Sequence, residues 1–168
     1  RDRVLWARYG KLVMAVAAAV ILLVAARQGY TAWQSNQSEA SATAYEQALK
    51  SDDIISALEA QHGQLTDGYT MLAQFQIAAA QAAANDFEAA EASYLEIAAE
   101  SSFDPLYQQV ATLLSVMVAP QDADLGLLRA RLADLEKAAG PWQAMALETG
   151  AGLALRSGDR DAAISRYK

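Results

Sequence analysis

Two turns set 73 residues apart constrain this chain more than any other feature. Asn85-Asp86 is followed by Ala90 and Tyr94, and Gly158-Asp159 is followed by Ala163 and Tyr167. The displacement equals about two units of 34–37 residues. Between them, Asp104-Pro105 and Gly140-Pro141 each open a helix, 36 residues apart. Asp suits the position before a helix and Pro its first turn. Helix pairs recurring near this period stack so that each pair covers the next. Ala90 and Ala163 are small enough to let two helices approach closely. Tyr94 and Tyr167, four residues on, are expected to fill the space beside them.

The same punctuation divides the rest. Helices are expected over residues 69–84, 87–100, 106–118, 125–139, 142–156 and 160–168. A loop spans 61–68, marked by Gly63 and Asp67-Gly68. An amphipathic pattern begins at Tyr45 with Ala48, Leu49, Ile54, Ile55 and Leu58, and is expected to cap the stack. Ser51-Asp52-Asp53 fits a break with a new N-cap. The middle unit departs from the pattern, because Pro120 stands where a Gly-Asp turn is expected. Abundant Ala, three prolines and few β-branched runs outside residues 12–26 mark an all-α chain. The alternative is an ordinary helical bundle with accidental self-similarity.

Residues 12–26 carry no charge and no strongly polar group. Trp6 and Tyr9 precede this run, and Tyr30 and Trp33 follow it. Trp6 and Trp33 are 27 residues apart, about 40 Å along a helix, which matches a bilayer with its headgroup layers. Lys11 and Arg27 can extend their charges toward water. The expectation is a transmembrane helix with its outer interfacial end over residues 12–33, anchored by Trp6, Tyr9, Lys11, Arg27, Tyr30 and Trp33. A cleaved export signal, with Val24-Ala25-Ala26 as its site, is the rival, and a buried helix the third option. Ala15, Ala19, Leu22, Ala26 and Gly29 form one stripe, either a helix-packing face or an ordinary lipid-facing span. Arg1, Arg3, Arg8 and Lys11 precede the run, and no basic residue follows Arg27 until Lys50. That places residues 1–11 in the cytoplasm and the rest outside it, in the periplasm of a bacterial inner-membrane host. Residues 34–44 are a stalk or a helix extension, and 45–168 the repeat domain. The chain starts without Met and stops inside a helical pattern, so both ends of the natural protein are expected to lie beyond it.

Beyond residue 27 there are 8 basic and 19 acidic residues, a balance of −11 that repels phosphate backbones. Nucleic acid is therefore not an expected partner. The absence of Cys removes disulfides, thiolate metal sites and a thiol nucleophile. His62 is the only histidine and sits in a polar loop, so it builds no transition-metal site alone. Glu88, Glu91, Glu96 and Glu100 read as a solvated helix face rather than an acid/base cluster. Asp122-Ala123-Asp124 lacks the spacing of a calcium loop. No phosphate loop or nucleophile elbow is present, so no catalytic residue, cofactor or metal is expected.

The layout resembles a known family. Its features are a basic, aromatic N-terminus, one Ala-rich span, Ser41-Ala42-Thr43-Ala44-Tyr45, and helix pairs of tetratricopeptide type. The closest stretch runs from Gly140-Pro141-Trp142-Gln143-Ala144 through Gly152, Arg156-Ser157-Gly158-Asp159 and Ala162-Ala163. It is similar to the single-span tetratricopeptide-repeat-like family that includes the ancillary subunit of the bacterial Sec translocon. The resemblance implies a short α-solenoid on a membrane anchor, associated with the translocon and a periplasmic chaperone or prolyl isomerase. It carries over no catalytic motif. The expected function is a non-catalytic scaffold of protein export. The alternative is a single-span subunit that stabilises another inner-membrane complex, such as a respiratory one. The groove is expected on the first helix of each unit, with Gln74, Gln81, Gln108 and Glu148 as solvent-facing contacts.

Overall fold

The computed structural model describes the backbone of residues 2–167 and the side chains of residues 22–167. The chain divides into two compact units, Arg1–Thr43 and Ala44–Lys168. α1 runs unbroken over Asp2–Leu49, through residues 34–44. No proline interrupts it, and Ala-rich sequence favours the helix. Its hydroxyls bond back along the helix, Thr31 Oγ1 to the Arg27 carbonyl at 2.7 Å and Ser38 Oγ to that of Gln34 at 3.1 Å. From Leu22 to Ala40 every side chain is exposed, including Leu22, Leu23, Tyr30 and Trp33.

Among the described residues no helix is long and apolar enough to cross a membrane. The expected span over 12–33 gains no support there: the side chains of its residues 12–21 lie outside the described residues, and the described part turns polar after Ala26 with Arg27, Gln28 and the run from Gln34 to Glu39. The side chains of Trp6, Tyr9, Lys11, Ala15 and Ala19 lie outside the described residues.

The second unit is a succession of helices joined by short turns. α2 covers Ile54–Glu59, α3 Asp67–Ala83, α4 Phe87–Ala99, α5 Pro105–Val118, α6 Leu125–Lys137, α7 Gln143–Arg156 and α8 Arg160–Arg166. Each packs on the next from α2 to α8, and α5 also touches α7. Helix starts follow local chemistry. Asp53, Asp86, Asp104, Asp124 and Asp159 are N-caps whose carboxylates accept from backbone N–H groups of the first turn. At Asp53 the hydroxyl and N–H of Ser56 both donate to the carboxylate and hold its pKa below the usual value. Helix ends follow the turn residues. Asn85 and Gly158 take φ of 63° and 78°, the left-handed region that closes a helix.

Four small cores run along the succession rather than one central core. Ala48, Leu58 and Ala73 form one, with the ring of Tyr45 lying 5.8 Å from that of Tyr69. Ala78, Tyr94, Ile97, Phe103 and Ala111 form the second. Leu113, Val116, Leu128, Leu132, Leu135, Ala146 and Leu153 form the largest, and Ala151, Ala154 and Ala163 the last. Ala78, Ala90, Ala111, Ala146, Ala151 and Ala154 are fully buried, so the abundant Ala serves close helix approach.

One expectation fails. Tyr94 is buried against Phe75, with ring centroids 6.1 Å apart. Tyr167 is 66% exposed at the C-cap of α8 and fills no space beside Ala163. The residue 73 positions after Phe75 is Glu148, which offers no apolar surface for the second ring.

Arginines join successive second helices. Arg131 of α6 pairs with Glu91 of α4, and Arg166 of α8 donates from Nε to Glu136 of α6 at 3.1 Å. Gly150 leaves room for the latter pair, since a Cβ there would lie 2.0 Å from Glu136 Oε1 and 2.9 Å from Arg166 Nε. Ala favours a helix over Gly by about 1 kcal/mol, but displacing this half-buried pair costs more. Gly150→Ala is therefore expected to destabilise the protein by about 1 kcal/mol. In a Glu136→Ala background the same change should stabilise it by a similar amount. Urea denaturation of the four proteins in the cycle checks this, and an effect of the same sign in both backgrounds would contradict it.

Candidate functional site

The first helices of the three pairs, α3, α5 and α7, bear large apolar side chains that the cores do not use. Leu72 on α3, Leu106 and Tyr107 on α5, and Met145 on α7 are each 41–44% exposed. Trp142, at the N-cap of α7, donates from Nε1 to the Leu106 carbonyl at 3.1 Å and so ties the starts of α5 and α7 together. A helix normally turns such residues inward. The second helices carry such residues too, Phe87 on α4, Leu127 on α6 and Ile164 on α8, so apolar exposure recurs along both helices of each pair, and exposure of this kind suits contact with a protein partner.

The four expected contact residues are not gathered on that surface. Gln74 is half-buried and lines a cavity of about 320 Å³ with Leu58, Leu65, Ile77 and His62. Gln81 is half-buried, and its Oε1 accepts from Ser93 Oγ at 2.7 Å, linking α3 to α4. Gln108 donates from Nε2 to the carbonyls of Glu100 at 2.8 Å and Phe103 at 3.0 Å, closing the turn between α4 and α5. Glu148 is exposed. The expectation of solvent-facing glutamines is thus corrected: three of them are drawn inward by amide partners or cavity walls. Leu72, Tyr107 and Met145 were missed, because an apolar residue in an amphipathic helix is assigned to the core by default.

The acidic residues of α4 act separately. Glu91 is half-buried in its pair with Arg131, which corrects its assignment to a solvated face. Glu100 accepts from the N–H and hydroxyl of Ser102, which lower its pKa. Glu88 and Glu96 are exposed. Burial raises the pKa of the Tyr94 phenol. Among the described residues no three His, Cys, Asp or Glu are grouped to hold a metal ion.

On α1, Leu22, Ala26 and Gly29 are exposed, as are Arg27, Tyr30 and Trp33. A Cβ at Gly29 would meet nothing within 4 Å. The rings of Tyr30 and Trp33 lie 6.2 Å apart along the helix.

A family model described as a tetratricopeptide repeat-like domain matches residues 3–168. No curated protein and no solved structure matches the chain.

Proposed function

The chain belongs to the tetratricopeptide repeat-like domain family, and from that premise we propose that it is a membrane-held scaffold which binds another protein through its first helices. Repeat folds of this kind mediate protein–protein interaction, and no enzymatic family is indicated. The observation that carries the reading is the exposure of Leu72, Tyr107 and Met145 on α3, α5 and α7. The membrane placement rests on the apolar run over 12–26, its aromatic flanks and the basic residues before it. The exposed Leu22, Leu23, Tyr30 and Trp33 suit a helix whose surroundings are lipid. On this reading the N-terminus is cytoplasmic and the repeats lie in the periplasm. Holding a partner beside a membrane complex raises its local concentration to the millimolar order, so a weak surface suffices. An export complex with a periplasmic chaperone is the pairing that this arrangement serves best.

The test is co-purification from membranes in mild detergent. It compares the natural chain with a variant carrying Leu72→Ser, Tyr107→Ser and Met145→Ser. These side chains are well exposed, so each change should alter stability by no more than about 0.5 kcal/mol. The variant should stay in the membrane fraction and lose its soluble partner. Retention of every partner by the triple variant, with loss on replacing Leu22, Ala26 and Gly29 by Trp, would favour a structural subunit of a membrane complex.

A further inference from the structure

The two ion pairs between second helices recur with the repeat. Arg131 stands seven residues after the capping Asp124, and Arg166 seven residues after the capping Asp159. They lie 35 residues apart, the length of one unit. Each reaches back to a glutamate of the preceding second helix, Arg131 to Glu91 on α4 and Arg166 to Glu136 on α6. A small residue recurs with them on the first helix in between. Gly150 of α7 borders the Glu136–Arg166 pair. Ser115 of α5, 35 residues earlier, is fully buried, and its hydroxyl turns back to the Thr112 carbonyl at 2.7 Å.

Elsewhere, neighbouring helix pairs meet through apolar groups that involve a first helix. Ala111 of α5 joins Tyr94 and Ile97 of α4. Leu113 and Val116 of α5 join Ala146 and Leu153 of α7, and those two helices approach closely. Among the described residues no comparable approach joins α4 to α6 or α6 to α8. One ion pair at each step is thus the printed bond between successive second helices. Such a bond differs in kind from apolar packing. It is directional, and losing one partner leaves a charge stranded. The four side chains are 15–22% exposed, so ions in solution reach them.

We propose that these pairs are straps that set how far the repeat stack opens, and that ionic strength is the signal they answer to. With both straps made, α4, α6 and α8 are held at fixed spacing. With a strap released, neighbouring helix pairs turn about the apolar contacts of the first helices, and the second helices spread like the ribs of a fan. Each helix pair stays folded, because its own apolar contacts are untouched. Turning α5 against α7 changes the spacing of Tyr107 and Met145, so the straps regulate the surface assigned above. That effect on binding rests on the scaffold reading, whereas the motion itself does not.

The chain has no Cys, so nitroxide labels can be placed in pairs on introduced cysteines. Glu96→Cys with Asp134→Cys spans exposed positions of α4 and α6. Ala79→Cys with Ala92→Cys spans exposed positions of α3 and α4, within one helix pair, and is the control. Distances are read by double electron–electron resonance on the full chain in a mild non-ionic detergent. The straps are removed together by Glu91→Gln, Arg131→Met, Glu136→Gln and Arg166→Met, so that neither partner of a pair is left as a stranded charge. The α4–α6 distance should lengthen by about 2 Å, the scale on which packed helices shift, while the control distance holds. If circular dichroism shows that variant unfolded, the chain with its straps intact serves instead in about 1 M sodium chloride, where screening acts within about 3 Å, and the same change is expected. A strap that only stabilises the fold would lower the urea midpoint and move neither distance. An unchanged α4–α6 distance in the folded variant, or in salt where the variant unfolds, overturns the proposal. Equal lengthening of both distances also overturns it.

Discussion

Truncating Leu132 to Ala is expected to cost the protein about 2–5 kcal/mol of folding stability. Leu132 is fully buried on α6, in the cluster that joins Leu113 and Val116 of α5 to Ala146 and Leu153 of α7. Three helices meet through one side chain. The loss therefore combines the missing methyl groups with a cavity that the surrounding helices cannot close freely. Arg131 and Glu136, on either side of Leu132 in sequence, tie α6 to α4 and α8 and oppose collapse into the hole. The check is urea denaturation followed by far-ultraviolet circular dichroism. Leu127→Ala, at a position 55% exposed on the same helix, should shift stability by no more than about 0.5 kcal/mol. A Leu132 midpoint equal to that of the control would refute the role assigned to this cluster.

Enlarging Ala90 to Leu should cost about 1–3 kcal/mol for the opposite reason. Ala90 is fully buried in the first turn of α4, a helix packed against both α3 and α5. Added methyl groups must push the helices apart or take a poor rotamer. Part of the effect should spread to the neighbouring Tyr94, four residues on, whose ring packs on Phe75. Near-ultraviolet circular dichroism of the aromatic residues should therefore change along with the midpoint. Ala92→Leu, at an exposed position of α4, should leave both signals nearly unchanged. Matching midpoints for the two variants would mean that the close approach at Ala90 carries no strain.

The parts of the fold legible in the sequence are those governed by a few consecutive residues. Asp53, Asp104 and Asp159 announce helix starts because a carboxylate one residue before a helix has nearby N–H groups to bind. Gly158 announces an end because its φ of 78° suits a residue without a Cβ. Spacing then carries these signals into a repeat. The contact surface was less legible. A glutamine is equally suited to solvent and to an internal amide bond, and only the path of the turn brings the Gln108 amide to the Glu100 and Phe103 carbonyls. Each residue turns a helix by about 100°, so a boundary moved by one position changes which side chain faces out. Leu72 and Met145 were hidden by chemistry rather than register, since their apolar character matches the core residues beside them. Tyr167 misled because its environment depends on a distant position, where Glu148 replaces the equivalent of Phe75.

The five capping aspartates also bear on how this surface can change over generations. They belong to the 19 acidic residues beyond residue 27, yet each is committed to a backbone N–H at the start of a helix. Exposed Glu88, Glu96, Asp122 and Asp134 are free to drift as solubility or a partner's charge demands. The capping positions are not, because most replacements there loosen a helix start while leaving every core intact. Asn or Ser is the narrow route by which such a position sheds its charge and keeps its bond. Related chains that differ in net charge should therefore differ mostly at the first group, and at the second mainly by those exchanges.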